Sequence, residues 1–179
     1  MSSLKTPNNV LAVVKIPELD EKTNPPVNDL SLALDRIQDP GNLGTIIRTA
    51  AWFGIKNVYC SKDCVDTYNP KVVQSTMGAL LKVNVLYTDL SNLAKWYHKN
   101  SLPVYGTFLN GKDIFQEDLH SAGLIIVGNE SGGISSSLQE LVTQRLTIPH
   151  FPIDHKSRIE SLNAASATAI VCSEFRRSK

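Results

Sequence analysis

Three stretches of the chain concentrate glycine, amide, hydroxyl and charged side chains in the way that ligand chemistry requires. They run from Asp35 to Ala50, from Gly128 to Ile134 and from Ile148 to Asn163. In the first, Arg48 is a permanent cation with a pKa above about 12, suited to anchoring an anion and poorly suited to taking up a proton. Asn42, six residues earlier, reads either as an amide that holds substrate or orients Arg48, or as the N-cap of a helix beginning near Thr45. In the second stretch, Glu130 stands between Gly128 and Gly132-Gly133, where glycines let the backbone approach a ligand and leave a carboxylate projecting from a strand end. That carboxylate serves the ligand, pairs with Arg48 or caps the following turn. In the third, Ser161 and Asn163 offer a hydroxyl and an amide. Ser157-x-x-Glu160 has the capping-box spacing, which predicts a helix from about Ser157 or Arg158 with Ser161 and Asn163 in its first two turns.

Other chemistries fit these loops poorly. Gly128 to Gly133 lacks the Lys-Ser/Thr pair of a phosphate-binding loop, and no G-x-G-x-x-G follows a strand, which argues against nucleoside triphosphate and dinucleotide sites. Asn129-Glu-Ser-Gly-Gly133 echoes the nucleophile loop of trypsin-like hydrolases. However, His98, His120, His150 and His155 all lie outside a matching context, and the helices leave no room for two β-barrels. Cys60 and Cys64 are four residues apart with no second Cys/His pair close in sequence, a weak basis for a metal site.

The elements that must position these loops alternate. Short β-branched or apolar runs occur at Val10 to Val14, Leu30 to Leu34, Asn57 to Cys60, Val83 to Tyr87, Val104 to Phe108, Leu124 to Val127 and Arg145 to Ile148. Helical stretches fall between them at Thr45 to Phe53, Lys71 to Leu81, Leu90 to Lys99, Ser137 to Val142 and Ile159 to Arg177. This is the pattern of an α/β fold, a mostly parallel sheet flanked by helices. Each of the three loops follows a strand, and open parallel sheets bind ligands beyond the carboxyl ends of their strands. Residues 1–29, with Pro7, Pro17, Pro25 and Pro26, read as a linker or N-terminal extension, and 30–179 as one domain.

Composition narrows the class. The chain has 179 residues, 42% of them apolar, enough for one core. Its 18 basic and 17 acidic residues give a net charge of +1, which excludes a strongly basic nucleic-acid module and leaves only local patches for such a partner. The apolar runs are far shorter than the roughly 20 residues that span a bilayer. Met1 is followed by polar residues with no apolar h-region, and three cysteines fit reduced thiols, so a cytoplasmic protein is expected.

In this order the three loops resemble the three motifs of the SpoU (TrmH-like) RNA ribose 2′-O-methyltransferases of the SPOUT superfamily. The matching residues are Gln38-Asp-Pro-Gly-Asn-Leu-Gly-Thr-Ile-Ile-Arg48, Leu124-Ile-Ile-Val-Gly-Asn-Glu-Ser-Gly-Gly133, and Ile148-Pro149 with Glu160-Ser-Leu-Asn-Ala164. The resemblance implies a C-terminal trefoil knot, S-adenosyl-L-methionine as cofactor, a homodimer, and a structured rRNA or tRNA, not DNA or a membrane, as partner. It implies catalytic roles for Arg48, Asn42, Glu130, Ser161 and Asn163, and cofactor contacts at Thr107, Gly128, Ile148 and Leu162. Without it, Ile148 and Leu162 read as plain core. The family often makes the motif arginine the base; the guanidinium's pKa favours instead phosphate anchoring and stabilisation of the forming alkoxide. One departure is the stretch His150 to Arg158, longer than the family's usual turn and without glycine. A non-catalytic RNA-binding or ribosome-assembly protein on the same fold is the alternative reading.

Overall fold

The structure is a computed structural model that describes residues 13–16, 24–151 and 160–177. Six strands, β1 (Leu30–Leu34), β2 (Asn57–Cys60), β3 (Asn84–Tyr87), β4 (Val104–Asp113), β5 (Gly123–Val127) and β6 (Gln144–Thr147), form one sheet in the order β3-β2-β1-β5-β4-β6. Every strand pairing is parallel. The central strands β1 and β5 are buried along their whole length, as expected where both faces of a parallel sheet are covered. Alternation along β1 splits the core. Leu30, Leu32 and Leu34 pack with Ile46, Ile47, Val171 and Phe175 on one face, while Ala33 joins Leu93, Tyr97 and Leu138 on the other.

Helices α1 (Pro40–Trp52), α2 (Pro70–Thr76) and α5 (Ala164–Arg176) contribute to the first face, and α3 (Leu90–Lys99) and α4 (Ser136–Gln139) to the second. Leu90, Leu93, Ala94 and Tyr97 give α3 a buried stripe at helical spacing, and Asp89 caps it by accepting from the Ser91 and Asn92 N–H groups at 2.8 and 3.1 Å. Arg176 of α5 reaches back to the strand end, donating to Asp29 Oδ1 at 2.9 Å just ahead of β1. The last residues of the expected linker are thereby tied to the domain.

Several boundaries differ from those the sequence predicts. Helix α1 starts at Pro40, not Thr45, because Asp39 is its cap: its Oδ1 accepts the Asn42 N–H at 2.7 Å, and proline needs no partner at the first helical position. Asn42 is therefore inside the first turn and is not the N-cap. The stretch Lys71 to Leu81 is not one helix. Left-handed Met77 and Gly78, with φ of 50° and 84°, separate α2 from a single 3-10 turn at Ala79–Leu81. The expected helix from Ser157 or Arg158 begins at Ala164 instead. Glu160, Ser161 and Leu162 precede it in non-helical backbone, and Asn163 caps it by accepting from Ala165 and Ser166 N–H at 3.0 and 3.2 Å. Ser157 itself lies outside the described residues. Val13 and Val14 form no strand and are exposed, and Val10 to Ala12 are outside the described residues. Strand β4 runs past Phe108 to Asp113, with its register on β6 shifted between Thr107 and Lys112. The expected C-terminal trefoil knot depends on a continuous chain path, and residues 152–159 lie outside those described.

Gly44 sets how closely α1 and α2 approach. A Cβ there would lie 2.4 Å from Ser75 Cβ and 2.8 Å from the Val72 carbonyl oxygen. Gly44→Ala is expected to destabilise the fold by about 1–3 kcal/mol through overpacking, despite alanine's better helix propensity. Urea unfolding checks this, and a midpoint equal to or above the wild type's would refute it.

Candidate active site

Beyond the carboxyl ends of β1 and β5, residues from three distant stretches form one relay. Asn163 caps α5 with its side-chain oxygen, which turns its Nδ2 outward to donate to Asn42 Oδ1 at 2.8 Å. Asn42, held in the first turn of α1, in turn donates from Nδ2 to Glu130 Oε1. Both asparagine orientations follow from this network, since only these place donor against acceptor. The carboxylate therefore pairs with Asn42 and not with Arg48. One N–H of Asn42 and the Glu130 Oε2 atom remain without a partner among the described residues.

Arg48 lies elsewhere on α1. Six residues after Asn42, it stands about 9 Å further along the axis and about 120° around it. It is exposed, and no hydrogen bond or ion pair holds it among the described residues. It forms an outward stripe with Thr45 and Trp52, the latter 84% exposed. Ser161 is exposed in the approach to α5.

The loop that carries Glu130 is closed on itself. Asn129 and Gly133 exchange backbone bonds of 3.2 and 2.8 Å, and Asn129 Oδ1 accepts from Ser131 N, Ser131 Oγ and Gly132 N. The Ser131 hydroxyl proton is thus engaged by an amide at 2.7 Å, not by a base, which disfavours the hydrolase reading. Gly128 is required by close approach: a Cβ there would sit 2.2 Å from the Gly133 carbonyl carbon.

A second support for this loop is not evident from the motifs. Arg36, two residues past the end of β1, adopts a left-handed φ of 58°, uncommon for a non-glycine residue. Its carbonyl accepts from Asn129 Nδ2 at 2.9 Å, its N–H donates to Ser61 Oγ at 2.9 Å, and its guanidinium donates to the Gly133 carbonyl at 3.2 Å. Beside it the buried Asp35 accepts the Ser135 N–H at 2.7 Å. Cys64 steadies the same turn, taking the Ile37 N–H and donating to the Leu34 carbonyl, both at 3.2 Å. A hydrogen bond from Cys60 lowers the Cys64 thiol to about 7 against the opposing effect of burial, with Ser61 and Ile37 adding to the lowering. Cys60 is pushed up by that bond and by burial, and burial pushes Cys172 up to about 12. The only sequence signal for this support is the proximity of Asp35 and Arg36 to the first motif.

Of the positions expected to contact a cofactor, Thr107 lies within β4 at its register shift, Gly128 follows β5 and Ile148 follows β6. Thr107 Oγ1 donates to the Ile126 carbonyl at 3.3 Å, and Thr147 Oγ1 donates to the Leu109 carbonyl at 3.2 Å, drawing the β4 extension to Ile148. Ile148 packs partly buried on the core. Leu162 is not core: it is 49% exposed, and Leu109 is 72% exposed.

The model of the SpoU rRNA Methylase family matches residues 29–173, which include every residue of the relay. The chain belongs to the SpoU rRNA methylase family. An uncharacterized tRNA/rRNA methyltransferase of Synechocystis is 35% identical over 99% of this chain and 63% of its own length. The 23S rRNA (guanosine(2553)-2′-O)-methyltransferase RlmP of Bacillus subtilis is 33% identical over 98% of this chain and 68% of its own. Among solved structures, a TrmH-family RNA methyltransferase of Porphyromonas gingivalis superposes with a TM-score of 0.80 at 41% identity, over 88% of this chain and 62% of that one. The SpoU methyltransferase AviRb of Streptomyces viridochromogenes, solved with AdoMet, superposes with a TM-score of 0.79 at 27% identity, over 90% and 65%. The chain spans just under two thirds of the first of these relatives. In SpoU terms, Asn42 comes from the first motif, Glu130 from the second and Asn163 from the third, so the relay is where this chain joins all three.

Proposed function

We propose that the chain is the catalytic part of an S-adenosyl-L-methionine-dependent methyltransferase that acts on a ribose 2′-hydroxyl of rRNA or tRNA. The relay from Asn163 through Asn42 to Glu130 supports this reading most directly, because it assembles polar groups from three motifs at the end of a parallel sheet. The residues present fit the cofactor: Gly128 and Ile148 follow β5 and β6, next to the β4 register shift at Thr107, and Leu109 and Leu162 are exposed apolar side chains. The bound cofactor supplies an electrophilic sulfonium methyl. Arg48 anchors the phosphate next to the target ribose and stabilises negative charge developing on O2′. Asn42 uses its remaining N–H to orient the ribose, and Glu130 Oε2 accepts the hydroxyl proton as the new O–CH3 bond forms. Ser161 donates to the substrate from the segment before α5.

The chain acts in the cytoplasm as a homodimer. The exposed indole of Trp52 on α1 supports a subunit contact there. Much of α5 is engaged within the chain, where Ala164, Ala165, Val171, Cys172 and Phe175 are buried in the core shared with α1. No helix among the described residues is long and apolar enough to cross a membrane.

Calorimetry with S-adenosyl-L-methionine tests the reading. One equivalent per chain is expected, followed by transfer of labelled methyl to rRNA or tRNA that renders one phosphodiester resistant to alkali, since a methylated O2′ cannot attack it. Absence of cofactor binding would favour the RNA-binding alternative.

A further inference from the structure

On the α3 and α4 side of the sheet, the carboxyl ends of β1, β2 and β3 open into a cleft of about 260 Å3, lined in part by Asp35, Lys62, Asp89, Ser91, Ser135 and Ser137. None of Asn42, Arg48, Glu130 or Asn163 lines it. It is smaller than the roughly 300–1,000 Å3 of pockets for cofactor-sized molecules, and it is open, with polar and apolar surface in similar measure.

Its two carboxylates are already engaged. Asp35 accepts from the Ser135 N–H and faces the Arg36 guanidinium at 3.4 Å, while Asp89 accepts from Ser91 N, Asn92 N and Asn92 Nδ2. The side-chain groups left without a partner, among the described residues, are the Lys62 ammonium and the hydroxyls of Thr88, Ser91, Ser135 and Ser137. With Asp35 facing the Arg36 guanidinium and Asp89 accepting three N–H bonds, one cation and four neutral donors are left for an anion that presents several acceptor oxygens. The cleft also adjoins the catalytic loop. Asp35 forms its wall, and the next residue, Arg36, donates to Gly133 of the loop that carries Glu130.

We propose that this cleft holds a backbone phosphodiester of the RNA beside the target nucleotide, with Lys62 as its cation and Thr88, Ser91, Ser135 and Ser137 as its neutral donors. The proposal rests on the reading that the substrate is RNA, and it adds a docking point on the face of the sheet opposite α1. A phosphate contact positions the strand and carries no sequence information.

The test is an anisotropy titration of the full chain with a fluorescein-labelled rRNA stem-loop across about 50–200 mM salt. Lys62→Ala is expected to weaken binding several-fold and to reduce the slope of log K against log salt by about 0.7–0.9, the release from one phosphate. Lys62→Arg should restore the slope, and Ser137→Ala should weaken binding without changing it, since a hydroxyl releases no counterion. S-adenosyl-L-methionine affinity should be unchanged in all three, which separates docking from fold damage. An unchanged slope and affinity in Lys62→Ala would overturn the proposal. Lys62-dependent binding of inorganic phosphate that leaves the stem-loop's affinity unchanged would also overturn it, by assigning the cleft to a free anion. Failure of the wild type to bind S-adenosyl-L-methionine would instead count against the methyltransferase reading, because the RNA titration does not depend on it.

Discussion

Arg48→Ala is expected to lose methylation by about a hundred- to a thousandfold, while S-adenosyl-L-methionine binds as tightly as to the wild type. The side chain is exposed and has no partner among the described residues, so its removal leaves no buried group unsatisfied and costs little stability. The loss falls on the transition state, at about 2.7–4 kcal/mol, the scale of one oxyanion donor. Arg48→Lys keeps the charge but loses the planar fork that grips a phosphate through two parallel bonds, so it should retain part of the rate. A guanidine acting as base predicts a different pattern. The wild-type rate would climb with pH far above neutrality, and lysine, with a free pKa of about 10.4, would match or exceed it at high pH. Single-turnover assays at saturating RNA distinguish these patterns. A wild-type rate in Arg48→Ala would remove Arg48 from both and leave the relay of Glu130, Asn42 and Asn163 with Ser161.

Gly128→Ala is expected to abolish cofactor binding and to lower the thermal midpoint. The added methyl would meet the Gly133 carbonyl carbon at 2.2 Å, Ile134 N at 2.4 Å and Gly133 O at 2.5 Å, all backbone atoms with no side-chain freedom to yield. The loop must open, which breaks the Asn129 to Gly133 bonds and displaces Glu130 from Asn42. Its neighbours calibrate the effect. At Gly132 the nearest atoms to a Cβ are Arg36 guanidinium nitrogens at 3.7 and 3.9 Å, so Gly132→Ala should bind cofactor normally. Gly133 has open space but a φ of 61°, so Gly133→Ala should cost only the backbone strain, about 1 kcal/mol. Calorimetry and thermal denaturation of the three variants check the order. Equal cofactor affinity in Gly128→Ala and Gly132→Ala would refute it.

The elements that could be read ahead of the structure are those whose signal is local and repeated. Alternation in Leu30 to Leu34 and the continuous apolar run in Leu124 to Val127 identify buried parallel strands, because sheet burial imposes its pattern on every residue. The helix starts were less legible. Ser157 and Glu160 have the spacing of a capping box, yet the helix begins after Asn163, whose amide caps α5 and also bonds Asn42, 121 residues away. A cap is chosen by the sum of its local and distant bonds, and only the local ones are visible in a window of four residues. Asn42 failed as a cap for the same reason, since Asp39 takes that place beside Pro40 and releases the asparagine for the relay.

Residue order and type alone were enough for the α/β class, the three motif loops beyond the strand ends, and the groups available there for binding an anion and moving a proton. Which of those groups meet was settled by the packed fold. It paired Glu130 with Asn42 and not with Arg48, turned Leu162 outward, held Arg36 in a left-handed turn under the Glu130 loop, and opened the cleft at Lys62. Each of these depends on chain segments tens of residues apart being brought within hydrogen-bond distance. Hydrophobic burial of the sheet fixes that separation, and residue spacing along the chain does not encode it.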